Sequence, residues 1–183
     1  MKNCILIHGC PSTPANKNTN EQNWFLWTKD KLLEQGWKVE NPLMPTAWAP
    51  KYEEWKAVMD KLSPNKDSTV VTHSCGGPFV VHWLGDSKRQ VKKLILVAPS
   101  KIASEGSTRL SSLYNFEIDL TIKDRVKDIV IFTSNDEERH RKSAKMYADA
   151  LGAELFDLEN KGHYTENSMG TKEFPELLEE ILR

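Results

Sequence analysis

The chain has 183 residues, with 25 basic and 26 acidic side chains and 39% hydrophobic residues. This length predicts one domain, spanning 1–183, with a sizeable buried core. The balanced charge and ordinary apolar content argue against a disordered chain and against a nucleic-acid-binding protein. No apolar run approaches the roughly 20 residues that cross a bilayer, and the first apolar run, 4–7, is too short for a signal-peptide core. No membrane span is therefore expected.

The three cysteines, Cys4, Cys10 and Cys75, show neither a CxxC pair nor the spacing of a zinc site. An odd number of cysteines also makes a disulfide framework an unfavoured interpretation. We therefore predict reduced thiols and a cytoplasmic protein.

Apolar runs and helix-like patterns alternate along the chain. In chain order we predict a strand at 3–8, a helix at 24–36, a strand at 37–40, a helix at 52–62, a strand at 69–71 followed by a helix, a strand at 91–97, a strand at 128–133, a helix at 137–151, a strand at 153–158 and a helix at 174–182. This alternation is typical of a three-layer α/β/α fold with a mostly parallel sheet of about six strands. Segments 11–23, 41–51 and 101–122 are predicted to be loops or irregular.

Segment 68–84, STVVTHSCGGPFVVHWL, contains the pattern of a nucleophile elbow: a buried strand, a sharp turn carrying Ser74 and a helix. The residues two positions on either side of the serine must be small. Gly76 meets this requirement, Gly77 allows close packing of helix and strand, and Thr72 stands where the motif has glycine. By itself the pattern is equally consistent with a strand-to-helix connection that happens to contain a serine.

Four polar residues come directly after predicted strands: His8, Ser74, Asp136 and His163. Ligands of parallel α/β sheets bind at the carboxyl ends of the strands, so we expect these side chains near one edge of the sheet. A serine hydroxyl needs a neighbouring base to act as a nucleophile, and histidine is suited to that role. His163 is the predicted base, because its Gly-His turn follows the last strand.

The other four histidines are predicted to have other roles. His82 is expected to be a packing or solvated residue of the helix after the elbow, and His140 a surface residue. His73 precedes the nucleophile and should point away from it. His8 is expected to be structural or to form part of the floor of the site.

The imidazole needs a carboxylate that fixes its tautomer, and Asp136 is the best-placed candidate. The alternative for Asp136 is capping of the helix that starts at position 137. Glu137 and Glu138 are second choices, because they lie within that helix. The order Ser74, Asp136, His163 is the chain order of α/β-hydrolases.

An oxyanion needs two backbone N–H donors, one from the residue after the nucleophile and one from an earlier loop. We predict these donors to be the amides of Cys75 and Cys10, although the His8-Gly9 segment could also be an ordinary turn. If so, Cys10 or Cys75 could make an enzyme sensitive to oxidation or alkylation of its thiols. The alternative is that both are simply small residues in small spaces.

The motifs HGCPSTP, a tryptophan-rich helix, Leu-Met-Pro at 43–45, THSCGG, LILVAPS, TSNDEERH and LGAELFDLENKGHY cover nearly the whole chain. Together they resemble the YdeN-like and retinoblastoma-binding-protein-9-like group of small serine hydrolases. The resemblance implies a Ser74-Asp136-His163 triad on a six-stranded parallel sheet without a separate cap domain. The chain departs from the group at Thr72 and after Asp136, where an Asp-Pro step is frequent.

The sequence thus predicts a cofactor-independent, metal-independent serine hydrolase that cleaves small or medium esters through an acyl-enzyme. We expect a shallow pocket formed by loops 10–23, 42–50 and 99–122, with Trp48, Tyr114 and Phe116 as candidate walls. A hydrolase-fold interaction module with little turnover is the alternative, since fold alone does not establish function. A flavodoxin-like nucleotide binder is disfavoured, because no glycine-rich phosphate loop follows the first strand. No feature indicates a protein partner.

Overall fold

The computed structural model describes residues 2–15 and 18–183. Its centre is a six-stranded sheet in the order β2-β1-β3-β4-β5-β6, and all five strand pairs are parallel. The strands are β1 (Asn3–Ile7), β2 (Lys38–Glu40), β3 (Ser68–His73), β4 (Val91–Val97), β5 (Val126–Ser134) and β6 (Glu154–Leu158). The predicted α/β fold with six parallel strands is confirmed.

The helices are α1 (Phe25–Glu34), α2 (Tyr52–Leu62), α3 (Gly76–Ser87), α4 (Ser111–Tyr114), α5 (Glu138–Leu151), α6 (Glu166–Met169) and α7 (Pro175–Leu182), with 3₁₀ turns at Thr19–Glu21 and Leu120–Asp124. The long helices lie within a residue or two of their predicted bounds. The turns at 19–21, 111–114 and 120–124 fall in or overlap segments predicted as loops or irregular, and no element was predicted at α6, because a single turn is too short to display helical periodicity. No helix in the described ranges has the length and apolar character to cross a membrane.

Two apolar cores cover the two faces of the sheet, because successive side chains of a strand point to opposite sides. On β3, Val70 faces the core beneath α2, α3 and α5, whereas Val71 faces the core beneath α1 and α7. The same division separates Leu94 from Ile95 on β4. The central strands are buried on both faces, which explains their continuous apolar sequences.

Candidate active site

Ser74 occupies a strained turn between β3 and α3. Its φ angle is +52°, in the left-handed region that side chains other than glycine seldom adopt. The Ser74 amide donates to the carbonyl of Val97 at 3.0 Å, and the Ser74 carbonyl accepts from the amide of Gly77 at 3.0 Å. A Cβ at position 76 would lie 2.8 Å from the Ile7 carbonyl oxygen, so only glycine fits beside the end of β1. The elbow expected from the sequence is formed.

Thr72 does not prevent this turn. Its side chain is buried, and its hydroxyl lies 3.5 Å from the carbonyl oxygen of Ile95 on the neighbouring strand β4. The extra volume at this position is therefore accommodated between strands, away from the Ser74 hydroxyl. The departure from the glycine of the motif is structurally tolerated.

Ser74, His163 and Asp136 form a continuous chain of contacts. His163 Nε2 lies 3.0 Å from Ser74 Oγ, and His163 Nδ1 lies 2.5 Å from Asp136 Oδ2. Asp136 is nearly buried, whereas a quarter of the His163 side chain is exposed. The three residues, which lie after β3, β5 and β6, are brought together at the carboxyl edge of the sheet, with each imidazole nitrogen engaged by one partner.

Asp136 contacts His163, but it does not cap the helix as the alternative interpretation proposed, because the N-cap of α5 is Glu137 and no side chain caps it. Its Oδ1 accepts from the amide of Glu137 at 2.7 Å, while Oδ2 faces His163. Burial raises the pKa of the Asp136 carboxyl, but the neighbouring imidazoles of His140 and His163 outweigh it and hold that pKa well below its usual range. Asp136 is therefore a carboxylate at neutral pH.

The alternative acids lie elsewhere. Glu137 is the residue that precedes α5 and pairs with Arg139 at 2.7 Å. Glu138 is exposed and pairs with Lys142 at 2.7 Å. Neither carboxylate contacts the imidazole of His163.

The prediction of a surface position for His140 was wrong. The residue is 6% exposed, and its Nδ1 lies 3.0 Å from Asp136 Oδ2, the same oxygen that His163 contacts. The two imidazole rings are 4.3 Å apart. The spacing could have revealed this contact, because residues i and i+4 of a helix share a face.

His73 holds the backbone of the loop that carries His163. It is buried, and its Nε2 lies 2.8 Å from the carbonyl oxygen of His163. Burial lowers the pKa of His73 to about 3, and repulsion by His163 adds to this effect. His73 is therefore neutral, donates Nε2–H to that carbonyl, and is not a base.

The loop after β6 is also tied to the end of β5. The Lys161 amide donates to Ser134 Oγ at 2.9 Å, and the Gly162 amide donates to Asn135 Oδ1 at 3.1 Å. These contacts join the segment carrying His163 to the segment carrying Asp136. Ser134 and Asn135 were not identified from the sequence as part of this arrangement.

His8 is a structural residue, one of the two roles predicted for it. It is fully buried, its Nε2 accepts from the amide of Met44 at 2.9 Å, and its Nδ1 lies 2.6 Å from the carbonyl of Gly9. Burial lowers the pKa of His8 to about 4, although the Gly9 carbonyl opposes this shift. A neutral ring with Nδ1–H satisfies both contacts and fixes the turn after β1.

Two cavities flank Ser74. One, of about 490 Å³, lies on the side of Phe25 and Glu166, and the other, of about 300 Å³, lies on the side of Arg109 and Tyr114. Both reach Ser74 and His163. Tyr114, a candidate wall, lines the second of these cavities together with Ser74.

Trp48 and Phe116 require a correction. Trp48 lines a separate cavity of about 350 Å³, formed with residues such as Leu43 and Pro14, which does not include Ser74. Phe116 stacks on His82 with ring centroids 4.6 Å apart, and it packs against the core. His82 is the packing residue that the sequence suggested. Periodicity cannot tell whether a loop aromatic turns towards the site or the core.

The prediction that the cysteines form no disulfide was wrong. Cys10 and Cys75 are joined by a disulfide bond across 65 positions of sequence, with Cα atoms 5.8 Å apart. Cys4 is the remaining free thiol and is buried in β1. Adjacent strands β1 and β3 bring the two cysteines together, which sequence spacing alone does not reveal. Because both sulfur atoms are in this bond, Cys10 and Cys75 are not the free thiols that the alkylation hypothesis assumed.

The amides of Cys10 and Cys75 face no acceptor among the described residues. Within residues 2–15 and 18–183, neither N–H donates a hydrogen bond. The helix α3 begins directly after Cys75, so the positive end of the helix dipole lies at the Cys75 amide. Two unused donors beside the Ser74 hydroxyl are suited to holding a negatively charged oxygen.

Asp136, His140 and His163 are also the described residues that could share a metal ion. Their ligand atoms lie within 4.8 Å of one another. Asp136 Oδ2 and His163 Nδ1 are already at hydrogen-bond distance, so a cation would have to displace the proton between them.

The parallel sheet, the strained serine and the polar groups at the carboxyl edge define an α/β-hydrolase fold. The profile of the serine hydrolase family matches residues 10–182. The chain is 25% identical over 175 residues to the putative hydrolase YdeN of Bacillus subtilis (strain 168). The aligned residues make up 91% of this chain and 87% of that protein.

Solved structures agree with this assignment of fold. The crystal structure of the B. subtilis ydeN gene product superimposes with a TM-score of 0.84 at 22% identity, covering 100% of this chain and 97% of that one. A carboxylesterase of the thaumarchaeon Nitrososphaera gargenis gives a TM-score of 0.68 at 14% identity, covering 99% and 89%. The chain belongs to the serine hydrolase family and resembles YdeN.

Proposed function

We propose that the protein is a carboxylesterase-like serine hydrolase that forms an acyl-enzyme on Ser74. The observation that carries the proposal is the pair of contacts made by His163, at 3.0 Å to Ser74 Oγ and at 2.5 Å to Asp136 Oδ2. A base within hydrogen-bond reach of a hydroxyl, itself oriented by a carboxylate, is the arrangement that activates a serine. Membership of the serine hydrolase family and similarity of fold to a carboxylesterase support it.

In the proposed reaction His163 Nε2 takes the proton of Ser74 as Oγ attacks the ester carbonyl carbon. The carbonyl oxygen becomes an oxyanion and accepts hydrogen bonds from the amides of Cys10 and Cys75. His163 then gives the proton to the leaving alkoxide, and the acyl group stays on Ser74. Water then gives a proton to His163 and attacks the acyl carbon, the bond from that carbon to Ser74 Oγ breaks to release the acid, and His163 returns the proton to Ser74. Asp136 holds Nδ1–H of His163 throughout and stabilises the imidazolium.

A small or medium ester with an apolar acyl group remains the proposed substrate. The two cavities beside Ser74 have room for the two sides of such an ester, one for the acyl chain and one for the alcohol.

The chemistry assigned to Ser74, His163 and Asp136 requires no cofactor. The cytoplasmic location also stays a prediction, and the Cys10–Cys75 bond weakens its basis, because disulfides are rare in reducing compartments.

Hydrolysis of p-nitrophenyl acetate and butyrate tests the proposal. Ser74→Ala should reduce kcat by roughly 10⁴-fold or more, to the residual rate left by binding alone. Ser87→Ala, at the far end of α3, serves as the matched control and should retain the wild-type rate. Equal activity of Ser74→Ala and wild type would overturn the proposal. Absence of turnover in the folded wild type on every ester tried would favour the interaction module.

A further inference from the structure

The two residues whose amides are proposed to hold the oxyanion are also joined to each other covalently. Cys10 lies in the turn after β1, and Cys75 lies between Ser74 and the start of α3. The disulfide therefore links the two donors of one oxyanion hole, rather than two distant surface loops. Cys10 also lines both cavities that flank Ser74.

The two amides differ in how the backbone holds them. Cys75 belongs to the elbow, which the Ser74–Val97 and Gly77–Ser74 backbone hydrogen bonds fix. Cys10, in contrast, makes no backbone-to-backbone hydrogen bond with the described residues. Besides the disulfide, a hydrogen bond of 3.0 Å from Arg109 to the Pro11 carbonyl and the packing of Cys10 against the core hold this turn.

We propose that the Cys10–Cys75 disulfide is a positioning element for catalysis, which holds the Cys10 amide at the oxyanion hole. This inference depends on the proposed function. An oxyanion donor acts only within about 2.7–3.1 Å of the developing charge, and loss of one donor costs roughly 10²–10³-fold in kcat. A covalent bond between Cys10 and the elbow restricts the Cys10 amide to that distance range before substrate arrives.

Chemical reduction removes the Cys10–Cys75 disulfide directly. A dithiol transfers two electrons and two protons to the Cys10–Cys75 bond, which yields two protein thiols and the cyclic disulfide of the reagent. Both backbone amides remain in the chain, so any change reports their positions and not their chemical loss. Titration of thiols in denaturant should find one thiol, Cys4, before reduction and three after it.

The test measures p-nitrophenyl butyrate hydrolysis before and after dithiol treatment, at a temperature where both forms are folded by circular dichroism. We expect kcat to fall by roughly 10²-fold, the lower end of the cost of a lost donor, with less than about a threefold change in KM, because the lost contact exists mainly in the transition state. The inhibition constant of a trifluoromethyl ketone, which forms an oxyanion on the serine, should rise by a similar factor. Reoxidation should restore both values.

Variants separate positioning from stability. The double variant Cys10→Ser and Cys75→Ser should match the reduced wild type in kcat and should not respond to dithiol. Cys4→Ala, which keeps the disulfide, should respond as the wild type does. If the disulfide served stability alone, the melting temperature would fall on reduction while kcat and the ketone affinity stayed unchanged.

The outcomes distinguish the two proposals. An unchanged kcat on reduction, in an enzyme that still requires Ser74, would overturn the positioning role and leave the proposed function intact. Three thiols in the unreduced protein would overturn it as well. Activity that is independent of Ser74 would overturn the proposed function itself.

Discussion

The two sides of the candidate site are held in place by different kinds of interaction. On the side of β1 and β3, Ser74 is fixed by the backbone: a left-handed φ, and an approach to Ile7 that only Gly76 permits. On the side of β5 and β6, Asp136 and His163 are fixed by hydrogen bonds of side chains. The comparison teaches that the nucleophile's position depends on steric constraint, whereas the position of the base depends on polar partners.

The largest expected loss of activity comes from the side of β5 and β6, where side-chain hydrogen bonds hold Asp136 and His163. In Asp136→Asn the amide oxygen can still accept from the Glu137 N–H, but the NH₂ group then faces His163 Nδ1 and favours the wrong tautomer. We expect kcat for p-nitrophenyl butyrate to fall by roughly 10³–10⁴-fold. Glu138→Gln, an exposed neighbour in α5, is the control and should stay near wild type. A loss below tenfold would contradict the role of Asp136.

The next effect concerns acid stability. His8 and His73 have folded-state pKa values of about 4 and about 3, mainly because burial disfavours their charged forms. Below pH 6.5 the unfolded chain binds these protons and the folded chain does not, so stability present above that pH is lost as pH falls. Between pH 7.5 and 5 each histidine should remove about 2 kcal/mol from the free energy of unfolding.

Urea unfolding at the two pH values measures this loss. In His73→Asn one of the two titrating groups is gone, so the fall between pH 7.5 and 5 should shrink by about 2 kcal/mol. The same fall in variant and wild type would show that His73 is not a buried neutral imidazole.

On the side of β1 and β3, a substitution at the elbow should lower the stability of the fold as well as the activity. In Gly76→Ala the new Cβ would meet the carbonyl oxygens of Ile7 and His8 at 2.8 and 2.9 Å, and backbone atoms cannot move away cheaply. We expect a loss of about 3 kcal/mol in the free energy of unfolding, together with reduced activity. Gly85→Ala, on the same helix, meets only Asp119 Cβ at 3.4 Å and should change stability by less than about 1 kcal/mol. Equal effects of the two changes would contradict the steric account.

Local sequence patterns predicted the turn that carries Ser74 well, since the strand, the serine and Gly76 are contiguous in sequence. The order of Ser74, Asp136 and His163 was readable because each follows a strand whose carboxyl end lies at the same edge. The contacts between distant segments were not readable. The disulfide, the approach of His140 to Asp136 and the turning of Phe116 towards His82 depend on how strands and helices pack.

Labelling with a fluorophosphonate tests the central claim most directly, because the reagent reacts with a serine only where a base has activated it. Ser74 Oγ should form a bond to phosphorus with loss of fluoride, and mass spectrometry should find the adduct on the peptide that contains Ser74. The label should be absent from Ser74→Ala and greatly reduced in His163→Ala. An unlabelled but folded wild-type protein, or an adduct on another residue, would contradict the account.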